Sequence, residues 1–207
     1  MSANKRPAAL EALANALSEL PGIGAVSSER LAYHLLQVPK HEALALAHAI
    51  QRAREEIRVC SICANLDQSD PCWVCADEGR DTGTILVVES PREVLAFESS
   101  GYRGLYHVLQ GRIAPLEEIG EKDLTVALLE KRLRTLREKR DEPLELCLAT
   151  DPDLEGEATS EAIRARLAGD PQLRITRIAR GIPAGATIAQ VQHTILTDAF
   201  EGRRPLR

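Results

Sequence analysis

Asp81-Thr82-Gly83-Thr84-Ile85-Leu86-Val87-Val88-Glu89-Ser90-Pro91 divides the 207-residue chain into two textures. Asp81-Thr82-Gly83 reads as a turn, and the apolar, β-branched run after it predicts a strand over 84–88. Pro91 then opens a helix that runs to Ser99. Downstream the alternation continues, with strands over 105–109, 144–149 and 174–178 and helices over 122–140 and 155–168. Short apolar strands separated by helix-length segments predict an α/β layer built on a mostly parallel sheet. Gly181-Ile182-Pro183-Ala184-Gly185 breaks the pattern, after which Ile188, Val191, Ile195, Leu196 and Ala199 predict a closing amphipathic helix. The charged stretch 130–142 reads as the solvated face of its helix, with Leu129, Leu133 and Leu136 on the buried side.

Immediately upstream lie Cys60-Ser61-Ile62-Cys63 and Cys72-Trp73-Val74-Cys75. Two Cys-x-x-Cys turns present four soft thiolates, the donor set of a tetrahedral zinc ion, so Cys60, Cys63, Cys72 and Cys75 are expected to bind zinc. Four thiolates close the coordination sphere, which makes the expected role structural. The competing readings are two disulfides or four free thiols, but no signal peptide is visible and an intracellular chain meets a reducing pool. Neither pair is expected at a helix start after a strand, which argues against redox chemistry. Residues 64–71 are expected to be a turn-rich connector and not an element of their own. Cys147, inside an apolar run, reads as a small core residue.

Three helices are expected before the cysteines, over 7–20, from a cap at Ser27 or Ser28, and over 41–57. Leu20-Pro21-Gly22-Ile23-Gly24 joins the first two and looks like a helix-hairpin-helix turn. Glycines let backbone approach a phosphate closely, and the free N–H groups of the next helix then face the anion. Gly22, Gly24 and Arg30 are the candidate DNA-binding residues. An ordinary helix–helix turn is the competing reading, and Val26 stands where a basic residue would strengthen the grip.

Aromatic residues make up only 3% of the chain, so contact with nucleic acid cannot rest on a stacking platform. The net charge of −5 argues against a surface coated for indiscriminate DNA binding. No apolar run is long enough to span a bilayer. A cytoplasmic protein without a membrane partner is expected.

Glu89 follows the first strand of the α/β region, and Asp151 and Asp153 follow the run 144–149. In an open parallel sheet such positions converge on one crevice, and clustered carboxylate oxygens suit magnesium. Helix capping by Asp151 or Asp153 is the alternative reading. The strand-end Glu with Asp-x-Asp-x-x-Gly resembles the toprim domain of topoisomerases, primases and certain repair proteins, whose catalytic members hold magnesium against a phosphodiester.

A helix-hairpin-helix, a four-cysteine knuckle and a toprim domain, in this order, resemble the RecR family of bacterial recombination mediators. The likeness extends to Tyr102-Arg103-Gly104-Leu105-Tyr106-His107-Val108-Leu109, Glu155-Gly156-Glu157-Ala158-Thr159 and Arg177-Ile178-Ala179-Arg180-Gly181-Ile182-Pro183. It implies a helix-hairpin-helix domain over 1–57, a zinc knuckle over 58–79, a toprim domain over 80–180 and a C-terminal helical segment over 181–207. It further implies a non-enzymatic DNA clamp, a homodimer or homotetramer on single- and double-stranded DNA. With RecO and RecF such a clamp helps RecA displace single-strand-binding protein at gaps. Localisation is then cytoplasmic and nucleoid-associated, and Glu89, Asp151 and Asp153 become partner-binding residues as well as candidate magnesium ligands. Two departures are informative. Asp151-Pro152 replaces the Asn-Pro of many relatives, keeping a magnesium-dependent toprim nuclease as the alternative. Ala184-Gly185-Ala186-Thr187-Ile188-Ala189-Gln190 replaces an acidic and aromatic segment, weakening any nucleotide-binding or assembly role there. A topoisomerase is disfavoured because no strand-cleaving domain fits this length, and Tyr33, Tyr102 and Tyr106 read as packing or interface residues.

Overall fold

The computed structural model describes residues 6–205, so the outer ends of the first and last expected segments lie outside the described residues. The chain forms two compact units, one ending at Ile57 and one starting at Arg58. In the first, α1 (Ala8–Ser18), α2 (Ala25–Gln37) and α3 (Lys40–Glu56) follow one another through short turns. Leu10, Ser28 and Ala32 are its buried residues among those described. The cap expected at Ser27 or Ser28 lies elsewhere: α2 starts earlier, behind Gly24, and the Ser28 hydroxyl donates to the Ala25 carbonyl at 3.0 Å. Ser28 therefore serves the interior of the helix.

The second unit opens with a two-stranded antiparallel ribbon, β1 (Arg58–Val59) against β2 (Leu66–Asp67), and a single helical turn, α4 (Trp73–Ala76). The stretch expected to be connector thus supplies a strand, two residues long, which leaves no periodicity to read. Then come β3 (Asp81–Val88), α5 (Pro91–Ser99), β4 (Gly104–Val108), α6 (Val126–Arg137), β5 (Leu144–Leu148), α7 (Leu154–Arg166), β6 (Leu173–Arg177) and α8 (His193–Glu201). The four long strands pair in the order β4-β3-β5-β6, all parallel. This is the expected α/β layer, with β3 and β5 at its centre.

Local chemistry sets the boundaries. Ser90 accepts from the Arg92 amide while the Glu93 carboxylate accepts from the Ser90 amide at 2.5 Å, a capping box that starts α5 with Pro91 in its first turn. The helix expected over 122–140 is interrupted. A 3-10 turn at Glu121–Asp123 precedes α6, because the Thr125 amide donates to the Leu109 carbonyl at 3.1 Å and its hydroxyl to the Val108 carbonyl at 2.6 Å. These bonds to the end of β4 outweigh helix continuity.

The sheet buries both faces. On one side Ile85, Val87, Leu144, Leu146, Leu129, Leu133 and Ile163 form a core under α6 and α7. On the other, Leu86, Val88, Tyr106 and Val108 pack with Val94 of α5 and with Cys60, Cys63 and Cys72. Leu133 is 1% exposed and Leu116 is 97% exposed. Leu133→Ala should therefore lower unfolding free energy by about 2–5 kcal/mol in denaturant titrations. Leu116→Ala should stay within about 0.5 kcal/mol of wild type.

Candidate functional site

The four-cysteine cluster is built by the ribbon and α4. Ala64, with φ +60°, turns the chain after Cys63, the Ala64 amide donates to the Cys60 carbonyl at 2.9 Å, and the Cys60 amide donates to the Asn65 carbonyl at 2.7 Å. Asp70 accepts from the Ser61 amide and hydroxyl, both at 2.9 Å, while Asp67 accepts from the Trp73 amide at 2.6 Å. These carboxylates lock the loop that brings the second cysteine pair onto the first. All four sulfurs lie within 4.8 Å of one another and none of the cysteines forms a disulfide, so the competing reading of two disulfides falls away. Cys72 does precede a helix, contrary to expectation, but α4 is one turn long and its sulfur converges with three others. Cys63 Sγ and Cys72 Sγ lie 3.5 Å apart, close enough for one ion to take both. A divalent cation at the centre of the cluster would take all four sulfurs as thiolates. The donor set, its closeness and its burial fit zinc, with no coordination position left for catalysis.

The acidic crevice lies at the carboxyl ends of β3 and β5. Val87 pairs with Leu148, which brings the residues after both strands side by side. The Glu89 carboxylate accepts from the Asp151 amide at 2.9 Å, and its backbone carbonyl accepts from the Gly111 amide at 2.9 Å. Asp153 is the N-cap of α7, accepting from the Gly156 amide at 2.8 Å. Its other oxygen pairs with Arg112 at 2.6 Å, while the same guanidinium reaches Glu155 at 2.7 Å. Gly156 packs so closely that a Cβ would sit 2.1 Å from the Asp151 carbonyl oxygen and 3.0 Å from Glu89 Oε1. Among the described residues, the cysteines are the group of metal-ligating side chains whose donor atoms converge; Glu89, Asp151 and Asp153 form no such group. Sequence reasoning missed Arg112, the cation of this crevice, because it lies on the loop after β4 with no motif around it.

In the helix-hairpin-helix turn, Gly22 adopts φ +80°, a conformation that disfavours a side chain, and Gly24 precedes α2 without a side-chain cap. Gly22, Gly24, Val26 and Arg30 are exposed, and Arg30 makes no ion pair among the described residues. Cys147 is half-buried beside the cysteine-side core and takes no part in the metal cluster. Tyr106 is fully buried and Tyr102 packs edge-on against it at 5.1 Å, whereas Tyr33 is exposed.

Three family models match in chain order: the RecR helix-hairpin-helix over 10–54, the RecR zinc finger domain of four-cysteine type over 57–77 and the Toprim domain over 83–179. Recombination protein RecR of Rhodopirellula baltica is 45% identical over 199 residues, covering 96% of this chain and 97% of that protein. The chain belongs to the RecR family. RecR of Heliobacterium modesticaldum is 45% identical over 191 residues, covering 92% of this chain and 93% of its own. RecR of Bifidobacterium animalis subsp. lactis is 40% identical over 197 residues, covering 95% of this chain and 96% of its own. The RecR zinc-finger match falls on the four converging cysteines, and zinc is the cofactor of this chain.

Zinc binding is coupled to folding of the ribbon, so Cys60→Ser should lose metal by elemental analysis and lower the melting temperature. Unchanged stability would count against a structural ion. Glu89 is 8% exposed, and burial holds its carboxyl above the usual 4.5 against the opposing pull of the Asp151 amide and Arg112, with the Asp151 and Asp153 charges adding to the rise. A carboxyl raised in the folded state contributes stability below its unfolded pKa and loses it as pH rises through the folded value. Glu89→Gln, which keeps the acceptor for the Asp151 amide, should therefore raise the melting temperature at pH 7, with the gain vanishing below about pH 4.5.

Proposed function

We propose that this chain is a non-enzymatic DNA clamp and loading adaptor in recombinational repair. In this reading it acts with RecO and RecF to help RecA displace single-strand-binding protein at gaps. The observation that carries the reading is Arg112, seated on Asp153 and Glu155. A guanidinium where a magnesium-dependent toprim would place its cation, together with an Asp153 committed to capping α7, supports an acidic recognition surface over a nuclease centre. Glu89 fits the same reading. Its ionised form costs stability in the folded state, which is expected of a group retained for binding.

DNA is the second partner, single- or double-stranded. Gly22 and Gly24 support backbone contact with phosphate at the start of α2, and the exposed Arg30 supplies a charge further along the helix. Such contact is independent of base sequence and weak alone, and a ring that encircles DNA adds retention. A homodimer or homotetramer is supported by α3, which buries none of its residues and exposes Leu44, Leu46 and Ile50. No helix among the described residues is long and apolar enough to cross a membrane, in keeping with action at the nucleoid in the cytoplasm.

Purified chain should capture RecO from the same cell in a pull-down, and Glu89→Ala should lose that capture. No capture by wild type would turn the reading back toward a nuclease, tested directly by magnesium-dependent cleavage of labelled DNA and its loss in Asp151→Asn. DNA affinity should fall steeply with salt, and Arg30→Ala should weaken it and reduce the salt slope by about one. A salt-insensitive affinity would exclude the phosphate-gripping mode.

A further inference from the structure

Four thiolates around a divalent cation leave a doubly negative centre, and burying it is unfavourable without compensating donors or charge. Backbone amides within the knuckle supply donors. The Asn65 amide points at Cys63 Sγ at 3.5 Å, and the Cys72 amide at Cys60 Sγ at 3.4 Å. Both are neutral dipoles.

Cys75 is different. It is the least buried of the four and lines a cleft of about 470 Å³ between the knuckle and α6. Its sulfur is approached from outside the knuckle by Arg132 of α6, with Nη2 3.8 Å away. Arg132 is only 7% exposed, and it makes no ion pair among the described residues. Its other terminal nitrogen donates to the Tyr106 backbone carbonyl. A guanidinium buried without a carboxylate is costly, because one carbonyl acceptor does not balance its charge. A buried tetrathiolate centre lacking a cation has the complementary deficit. The two deficits meet at Cys75 Sγ.

We propose that Arg132 is the cationic positioning residue of the zinc centre. It compensates the charge on the Cys75 thiolate and fastens the knuckle to α6 through the metal. The opposing account gives Arg132 only a packing role, as donor to the Tyr106 carbonyl. The two differ in what a neutral donor of similar reach would do.

Zinc affinity of the full-length chain, read by competition with a chromogenic chelator, tests this in wild type, Arg132→Met, Arg132→Gln and Arg132→Lys. The Met and Gln variants should bind zinc about 10–100-fold more weakly, the range for loss of a residue that supports a metal ligand. The Lys variant should stay much closer to wild type. With cobalt substituted for zinc, the sulfur-to-metal charge-transfer bands should shift in the Met and Gln variants, a change that loss of packing alone would not produce. Should the Met and Gln variants fold only poorly while the Lys variant folds zinc-loaded, the need for charge is supported. A Gln variant within about twofold of wild-type zinc affinity would overturn the proposal, since the support a metal ligand draws from its neighbour is larger than that. So would equal zinc loss in all three folded variants, or failure of all three to fold, since either outcome separates the effect from charge.

Discussion

The burial of three cysteine side chains against the parallel sheet is the constraint on which the second unit depends. Cys60, Cys63 and Cys72 are fully buried and pack in the same apolar cluster as Val88, Tyr106 and Val108. The backbone repeats the connection, since the Val108 amide donates to the Cys63 carbonyl at 2.8 Å and the Gln110 side chain to the Ala64 carbonyl at 2.5 Å. A zinc knuckle of two-residue strands and one helical turn cannot bury enough surface to fold by itself. Metal ligation and apolar packing here act on the same atoms. The metal holds the loop in the shape that covers the sheet, and the sheet supplies the apolar wall that keeps the thiolates from water.

The carboxyl end of β3 depends on the same rigidity. Glu89 leaves the strand into the crevice, and its carboxylate is fixed by the Asp151 amide on the neighbouring strand end. That contact exists because β3 and β5 are adjacent parallel strands and because Gly156 lets α7 approach without a Cβ in the way. Thr150 adds to the join, its hydroxyl donating to the Gly156 carbonyl at 2.9 Å. One parallel pairing thus does two things. It buries the strand interiors, and it gathers acidic groups whose protonation and pairing differ: Glu89 is held above the usual range by burial, while Asp153 is held below it by the Gly156 amide and the nearby Arg112.

Much of this is legible in the residues, for identifiable reasons. The spacing of Cys60, Cys63, Cys72 and Cys75 encodes a donor set directly, and the β-branched run 84–88 followed by Ser90-Pro91 encodes a strand and a capped helix. What escapes a local reading is set by tertiary contact. Thr125 breaks the helix expected over 122–140 by bonding to the end of β4, and nothing local announces that partner. Arg132 sits in a stretch whose charges suggest a solvated face, yet Leu129, Arg132, Leu133 and Leu136 fall at the i, i+3, i+4 and i+7 positions of one helical stripe. A basic residue inside an apolar stripe is the available signal. Arg112 carries none, because its importance arises only when a loop folds over Asp153.

The distribution of charge along the chain bears on how an acidic protein could work on DNA. Residues 1–57 contain six basic and six acidic side chains, so the whole excess of five negative charges falls in residues 58–207. The helix-hairpin-helix unit is therefore electrically balanced, and the phosphate contact proposed for it would rest on directed groups: backbone N–H at the start of α2 and an Arg30 without an ion pair among the described residues. Directed contact of this kind is short-ranged, because the Debye length in physiological salt is about 8 Å. The toprim unit has the opposite character, with an acidic excess that disfavours a polyanion and suits a basic protein surface. The two contacts proposed for this chain thus call for opposite electrostatics, and their candidate residues, Gly22, Gly24 and Arg30 on one hand and Glu89, Asp151 and Asp153 on the other, fall in separate units. On the proposed reading, such a division would keep weak, sequence-independent DNA contact from competing with partner binding at the acidic crevice.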